Sequence, residues 1–347
     1  MMNGIKKKIT SFSQIIGQER AIQFLKSTIA GERIPHAFLF TGISGVGKTT
    51  TAAAFTQAIN CLAPVENGGC GRCRICRQII SGNFPDLMVI EPIGQNIKIE
   101  QIRELNRSLN FKLIVGNYRV TIINQADMMT EEAANSFLKT LEEPPPGNIF
   151  ILKVTEPRDL LSTIVSRCQK IPFQPLSFRI VKEWLRNEMD MDEERASLIA
   201  RLSEGSLGRA INISESRFLE ERQDNLAKII QLPMISKDHI LDIAQEYAQR
   251  AKRKDRDGSI DTDLFELMGI WKTWYRDLIL IKVNGPLDLL INTDFSIKLK
   301  NISKKINIDN LTECFLILDQ AQRDLTRNLN AGLMMENIFL NLKRLSG

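Results

Sequence analysis

The sequence predicts an α/β domain built on a parallel sheet, followed by two helical domains. From about residue 13 to 175, short apolar runs alternate with segments of helical periodicity, which is typical of strands joined by helical crossovers. After Pro175 the strand pattern largely ends, and helical patterns continue along the rest of the chain. A chain of 347 residues is long enough for two or three hydrophobic cores.

Five apolar runs predict the strands of the sheet. They are AFLFT (37–41), DLMVI (86–90), RVTIIN (119–124), NIFILKV (148–154) and KIPF (170–173). A helix is predicted over residues 131–143, because its apolar residues recur at helical spacing. Thr130 can cap the start of this helix, and the segment PPPG (144–147) ends it.

The remainder of the chain is predicted to be helical, with a break and a cap at the GS pair (205–206). The charged stretch AKRKDRDGSIDTD (251–263) predicts an exposed loop. Three aromatic residues interleave with leucine and isoleucine at helical spacing, which favours core packing over base stacking: Trp271, Trp274 and Tyr275. We expect three domains, over residues 1–175, 176–235 and 236–347.

The composition is that of an ordinary globular protein, with 43% hydrophobic and 25% charged residues. No stretch approaches the roughly 18 uninterrupted apolar residues of a membrane span. A basic run near the first residue has no apolar segment behind it, so we expect a cytoplasmic chain with no membrane partner. The net charge of +5 permits a nucleic-acid partner without requiring one.

Four of the six cysteines fall in one glycine-rich window with C-x8-C-x2-C-x2-C spacing: Cys61, Cys70, Cys73 and Cys76. A reducing compartment disfavours disulfides, and four thiolates suit tetrahedral zinc. The sequence therefore predicts a structural zinc site over residues 61–76, with four ordinary buried cysteines as the alternative. Three neighbouring arginines form either a solvated face or a contact surface for DNA or protein: Arg72, Arg74 and Arg77.

Residues 42–49, GISGVGKT, match the phosphate-binding pattern G-x-x-x-x-G-K-[ST] between a predicted strand and a predicted helix. The glycines let backbone N–H groups wrap phosphates, and the helix N-terminus adds the positive end of its dipole. In this pattern the lysine reaches the β- and γ-phosphates, and the next hydroxyl ligates Mg²⁺. We expect a bound nucleotide with Mg²⁺ rather than a purely structural turn. The expected binding residues are Gly42, Gly45, Gly47, Lys48, Thr49 and Thr50.

A hydrolytic site of this kind also needs a carboxylate at the end of a neighbouring strand. The expected place is the end of RVTII, where the sequence has the amides Asn124 and Gln125. Amides carry no charge to balance a metal ion and cannot take a proton from water. Asp127 is the nearest acid, and we expect it on the loop beyond the strand. The sequence therefore favours nucleotide binding without efficient turnover.

Besides the phosphate-binding loop and the four cysteines, the chain contains these blocks: FSQIIGQ (12–18), PHAFLFTG (35–42), NSFLKTLEEPPP (135–146), TIVSRCQ (163–169) and GSLGRA (205–210). In these features it resembles the clamp loader subunits of bacterial DNA polymerase III. Such subunits are AAA+ proteins with a RecA-like domain, a zinc module inserted after the P-loop helix, a small helical lid and a helical collar. The resemblance therefore implies the same three-part division.

Among these subunits, the delta-prime type has a degenerate site where the gamma/tau motor has an Asp-Glu pair, so Asn124-Gln125 resembles delta-prime. This implies a stator-like role in a hetero-oligomeric ring with gamma/tau and delta, which loads the sliding clamp onto primed DNA. Some delta-prime subunits have a ruined P-loop, whereas this one is intact, so the resemblance is compatible with bound ATP or ADP. An active gamma/tau-like ATPase is the alternative. A further alternative is a protein outside the clamp loaders, either a P-loop enzyme or a zinc-containing module that binds nucleic acid.

The resemblance also assigns individual roles. Arg167, in the Ser-Arg-Cys block, matches an arginine finger that reaches the ATP of the next subunit; a surface arginine bonded to a helix end is the alternative. Arg209 matches the lid arginine called sensor 2, and Thr155 matches sensor 1 to within about a residue. Ile15 and Ile16 match the region that cups the adenine, although packing in the apolar core would equally explain them.

Overall fold

The computed structural model describes residues 11–66, 68–254, 262–325 and 330–346. By its internal contacts the chain separates into two compact units. The first contains residues 1–180 and 205–209, and the second contains residues 181–204 and 210–347. The division into three domains at residues 175 and 235 stays a prediction.

Five strands form one parallel sheet in the order β2-β3-β4-β1-β5. They are β1 Ala37–Thr41, β2 Leu87–Ile90, β3 Arg119–Ile123, β4 Asn148–Val154 and β5 Gln169–Pro172. All five predicted strands are confirmed, with ends that differ by one residue or less. Strands β1, β3 and β4 are buried along their whole length, which explains their largely apolar sequences.

The strand register sets the edge at which a site can form. Thr41 pairs with Val154, and Ile123 pairs with Leu152, so β1, β4 and β3 end nearly level. Because the strands are parallel, the segments that follow them leave the sheet at the same edge. The GISGVGKT loop, Asn124 and Thr155 therefore lie side by side.

Helices cover both faces of the sheet. The first unit contains α1 Glu19–Ala30, α2 Lys48–Asn60, α3 Arg74–Ser81, α4 Ile99–Leu109, α5 Glu131–Glu142 and α6 Ser162–Val165. On one face, the rings of Phe38 and Phe55 meet with centroids 5.3 Å apart, and on the other face those of Phe137 and Phe150 meet at 5.4 Å. The predicted helix at 131 is confirmed as α5, and Thr130 caps it by accepting the Ala133 N–H.

The second unit is helical in its described residues, as predicted. Helix α7, Phe178–Met189, runs from the first unit into it. The others are α8 Glu193–Leu202, α9 Leu207–Glu215, α10 Phe218–Gln231, α11 Lys237–Lys254, α12 Thr262–Lys282, α13 Ser296–Ser303, α14 Ile308–Asp324 and α15 Ala331–Ser346. Trp271, Trp274 and Tyr275 lie in the core, which confirms the packing interpretation.

The predicted loop at 251–263 is only partly observable. Residues 251–254 and 262–263 are helical, contrary to the prediction, because α11 continues to Lys254 and α12 begins at Thr262. Residues 255–261 lie outside the described part of the chain. Within the described residues, no helix combines the length and the apolar character that crossing a membrane needs.

Asp86, just before β2, holds the loop that leads into β3. Its carboxylate is fully buried and accepts the backbone N–H groups of Ile114, Val115 and Gly116 at 3.0, 2.8 and 2.8 Å. Burial alone would raise the pKa of Asp86, but these N–H bonds and the charge of Arg119 hold the pKa below its usual value.

We expect Asp86→Asn to lower the free energy of unfolding by about 3 kcal/mol at pH 7, because an amide cannot satisfy three N–H donors as a carboxylate does. A lowered native pKa stabilises the fold above the unfolded pKa of about 4 and loses that contribution as the pH falls through the native pKa. Denaturant unfolding at several pH values should therefore show that the difference in the free energy of unfolding between wild type and variant becomes smaller below about pH 4.

The matched control is Glu104→Gln, since Glu104 is an exposed carboxylate on α4 of the same unit. It should change the free energy of unfolding by less than about 0.5 kcal/mol. Equal unfolding free energies for wild type and Asp86→Asn at pH 7 would contradict the role assigned to this carboxylate.

Candidate functional site

The GISGVGKT loop connects β1 to α2 in a conformation that requires glycine. Gly42, Gly45 and Gly47 have φ values of +132°, +74° and +109°. A Cβ on Gly42 would lie 2.3 Å from the Phe173 carbonyl oxygen, so a side chain is excluded there. The Lys48 ammonium donates to the carbonyl oxygens of Gly42 and of Ile43, the latter at 3.0 Å. The loop therefore keeps the backbone of a phosphate cradle, with its lysine folded across it.

Gln18 connects this loop to the segment that follows β5. Its side-chain amide donates to the carbonyl oxygens of Val46 at 3.3 Å and of Gln174 at 2.8 Å, and its oxygen accepts the Gln174 N–H at 3.1 Å. The residue is only 3% exposed. Sequence reasoning missed this role, although a glutamine in the apolar IIGQ stretch was the available signal.

The segment 205–209 lies directly against the loop. The Ser206 hydroxyl donates to the Ser44 carbonyl oxygen at 2.8 Å and accepts the Arg209 N–H at 3.1 Å, so Ser206 is the predicted cap at the start of α9. The Gly208 N–H donates to the Gly45 carbonyl oxygen at 2.9 Å. A Cβ on Gly208 would come within 2.8 Å of the Gly45 Cα, which explains the glycine.

A second lysine, which the sequence analysis did not single out, meets the loop from β4. Lys153 is 8% exposed, and its ammonium donates to the Thr49 hydroxyl. Burial lowers the pKa of Lys48 to about 8 and that of Lys153 also to about 8, and the charge of Lys48 adds to the second effect. The two ammonium groups therefore form a buried cationic site. The signal in the sequence was a lysine inside the apolar run NIFILKV.

The acids of the site are not at the end of β3. Asn124 donates from its amide to a Glu91 carboxylate oxygen at 2.8 Å, and its own side-chain oxygen is buried without a partner among the described residues. Gln125 is exposed. Asp127 lies in a short 3-10 helix, Ala126–Met128, beyond the strand. Burial raises the pKa of Asp127, and the charge of Lys48 partly offsets this.

The remaining predicted nucleotide contacts are placed as follows. The Thr155 carbonyl oxygen accepts the Gly42 N–H at 3.0 Å, while its side chain is exposed. Arg209 is half-buried beside the loop. Ile15 and Ile16 are half-buried, and Ile15 packs against the core under β1. Roles for these four side chains stay predictions, as does one for Thr50 at the start of α2.

Arg167 belongs to a separate cluster. Its guanidinium donates to the Thr163 carbonyl oxygen at 2.9 Å and to a Glu142 carboxylate oxygen at 2.6 Å. The Arg167 side chain is 36% exposed and that of Glu142 is 50% exposed, so the ion pair faces solvent. Because an exposed ion pair contributes little free energy, the guanidinium can exchange this partner at small cost.

The four cysteine sulfurs converge, all within 4.8 Å of one another: Cys61, Cys70, Cys73 and Cys76. The Sγ atoms of Cys61 and Cys73 are 3.9 Å apart. Zn–S bonds of about 2.3 Å place the sulfurs of a tetrahedron about 3.8 Å apart, so the donor set fits zinc. Backbone N–H bonds from Arg72 and Cys73 lower the pKa of the Cys70 thiol to about 6, whereas burial raises the pKa of Cys61 and of Cys76.

Comparison with known proteins places the chain in a family. Residues 17–177 match the family model described as DNA polymerase III, delta subunit. The DNA polymerase III subunit delta' of Bacillus subtilis is 31% identical over 328 residues, which cover 94% of this chain and 96% of that protein. The tau/gamma subunit of Haemophilus influenzae is 27% identical over 95% of this chain, which spans about half (49%) of that protein.

Among solved structures, a DNA polymerase III gamma subunit-related protein from Thermotoga maritima aligns with a TM-score of 0.42 at 20% identity, covering 94% of this chain and all of that one. The parallel sheet, the P-loop after β1, the four-cysteine insertion and the helical second unit confirm the predicted fold class. With its near full-length similarity to subunit delta', the chain belongs to the delta-prime family of bacterial DNA polymerase III clamp loader subunits.

Proposed function

We propose that this chain is a stator-like subunit that binds ATP or ADP, hydrolyses it poorly, and supplies Arg167 to the nucleotide site of a neighbouring subunit. The observation that supports this proposal most is that an intact phosphate-binding loop lies beside amide side chains at the end of β3. Asn124 and Gln125 stand where a metal-binding acid and a catalytic base are needed. The cradle can hold phosphates, but the adjacent strand offers no carboxylate at that position.

The proposed trans role of Arg167 is supported by its exposure and its weak restraint. A guanidinium is always charged and forks onto phosphate oxygens. In this chain it is held by an exposed carboxylate and one helix carbonyl, so a neighbour's phosphate can replace Glu142. Such a finger is worth roughly 10³–10⁵ in rate where it operates.

The wider role follows from the family. We propose that the chain joins tau/gamma and delta subunits in a cytoplasmic hetero-oligomeric ring, which uses ATP to place the sliding clamp on primer-template DNA. Its helical second unit, with a continuous aromatic core around Trp271 and Phe339, would form the collar contacts. Zinc at the four cysteines would be structural, because all four ligand positions are filled by protein.

A gamma/tau-like ATPase is the second candidate. It is favoured by one observation, namely that Asp127 is half-buried, interacts electrostatically with Lys48 and has a raised pKa, as a general base often has. If Asp127 acts in this way, the isolated chain turns over ATP and Asp127→Asn abolishes the turnover.

The experiment that separates these functions starts with purified protein and labelled ATP. We expect the wild type to retain ATP on a desalting column and to release it unhydrolysed after denaturation. Lys48→Ala should bind none, because the cradle loses its phosphate ligand. Recovery of ADP from the wild type would favour the gamma/tau-like ATPase.

A further inference from the structure

We propose that the Lys153 ammonium takes the place of Mg²⁺ in this site, so that nucleotide binds without a divalent cation. The inference rests on the proposed nucleotide binding and specifies its chemistry. In a P-loop site the threonine hydroxyl after the lysine is a ligand of Mg²⁺. Here that hydroxyl, on Thr49, accepts a hydrogen bond from the Lys153 ammonium instead.

The position of Lys153 is fixed by the sheet. It lies in β4 opposite Phe40 of β1, one residue before the end of the strand. Only 8% of the residue is exposed, so the side chain has little freedom to swing away. A divalent cation on Thr49 would have to displace this ammonium or lie against it, and two like charges in a buried site repel strongly.

The ligands that Mg²⁺ requires are also missing from their usual place. Mg²⁺ is usually held by one or two carboxylates together with substrate phosphates and water. At the end of β3 the side chains are the amides of Asn124 and Gln125, and Asn124 donates its amide to Glu91. Of the two acids nearby, Glu91 accepts the Asn124 amide at 2.8 Å, and Asp127 lies beyond the end of β3 in the short 3-10 helix. The charge of Glu91 raises the pKa of Lys153, and that of Asp127 raises the pKa of Lys48. The residues present therefore do not fit Mg²⁺.

The two lysines instead fit the phosphates of a nucleotide that carries no divalent cation. Lys48 and Lys153 together carry two positive charges, the same charge as one Mg²⁺, and each is a hydrogen-bond donor. Both now donate to neutral oxygens, Lys48 to the carbonyl oxygens of Gly42 and Ile43, and Lys153 to the hydroxyl of Thr49. An anionic phosphate oxygen is a stronger acceptor than any of these. The arrangement binds a nucleotide as a stable ligand while leaving out the cation that hydrolysis uses.

The test measures the dissociation constant of a fluorescent ATP analogue with excess Mg²⁺ and with EDTA, for wild type and Lys153→Met. We expect the wild type to bind equally well or more tightly in EDTA. Lys153→Met keeps the buried aliphatic stem and should fold, which a thermal melt verifies. Its affinity in EDTA should fall by tenfold or more, the order of one charged hydrogen bond, and Mg²⁺ should recover part of the loss.

The matched control is Lys170→Met, because Lys170 is an exposed lysine on β5 of the same sheet. It should behave as the wild type under both conditions. A wild-type affinity that drops tenfold or more in EDTA would overturn the inference while leaving nucleotide binding intact. Lys153→Met binding like the wild type in EDTA would also overturn it. Absence of binding under both conditions would instead reject the proposed nucleotide site itself.

Discussion

Replacing Arg167 with alanine is expected to lower ATP hydrolysis at the neighbouring subunit's site by roughly 10³–10⁵-fold in the reconstituted loader. The guanidinium would stabilise charge that develops on the transferred phosphate, and no other side chain of this chain is assigned that role. Nucleotide binding to this chain should not change, because Arg167 contacts Thr163 and Glu142, neither of which belongs to the phosphate-binding loop.

The measurement is the steady-state ATPase of the assembled complex in the presence of clamp and primed DNA. If the ATPase sites of the complex work independently, the total rate loses only the contribution of the affected site. If hydrolysis at one site must precede hydrolysis at the next, the total rate falls much further. Arg158→Ala is the matched control, since Arg158 is an exposed arginine nearby in the same unit. An unchanged rate for Arg167→Ala in a fully assembled complex would refute the finger assignment.

Loss of the metal is the second change with a large expected effect. Structural zinc contributes about 10–16 kcal/mol of apparent binding free energy in small zinc modules. The local core beside the cysteines is small, with Ile75, Ile79 and Phe84 as its buried members. This core is too small to replace the metal, so we expect Cys76→Ser to abolish zinc binding and to unfold the module around α3.

The wild type should contain about one zinc per chain by elemental analysis, as four protein ligands form one closed site. Hydrogen exchange should show protection of residues 61–81 in the wild type and its loss in Cys76→Ser. Cys314→Ser is the matched control, because Cys314 is a buried cysteine of the other unit and should leave the zinc content unchanged. A folded, metal-free wild type with four free thiols would contradict the assignment.

Much of the fold could be predicted because its signals are local. The strands β1 and β4 are buried on both faces and have largely apolar sequences, and α5 carries both its cap and its stop in sequence. The phosphate-binding loop and the cysteines are likewise short patterns whose spacing reflects their geometry.

The residues that sequence reasoning missed contact residues that are far from them in the sequence. Lys153 meets Thr49 across 104 residues, and Gln18 meets Gln174 across 156. These contacts depend on strand order and register, since only the pairing of β1 with β4 places Lys153 beside the loop. A periodicity argument treats that lysine as an interruption of an apolar run. The sheet instead gives it a defined place beside the GISGVGKT loop.

A single-turnover assay tests most directly the proposal that this chain binds nucleotide without turning it over. Isolated protein in excess is mixed with labelled ATP and Mg²⁺, quenched with acid over a time course, and the fraction of ADP is measured. The double variant Asn124→Asp with Gln125→Glu is the matched comparison, because it restores only the acidic pair. We predict that ATP bound to the wild type stays intact long after an ordinary enzyme turning over at about 1 s⁻¹ would have consumed it. Conversion of bound ATP to ADP by the wild type at such a rate would contradict the proposal.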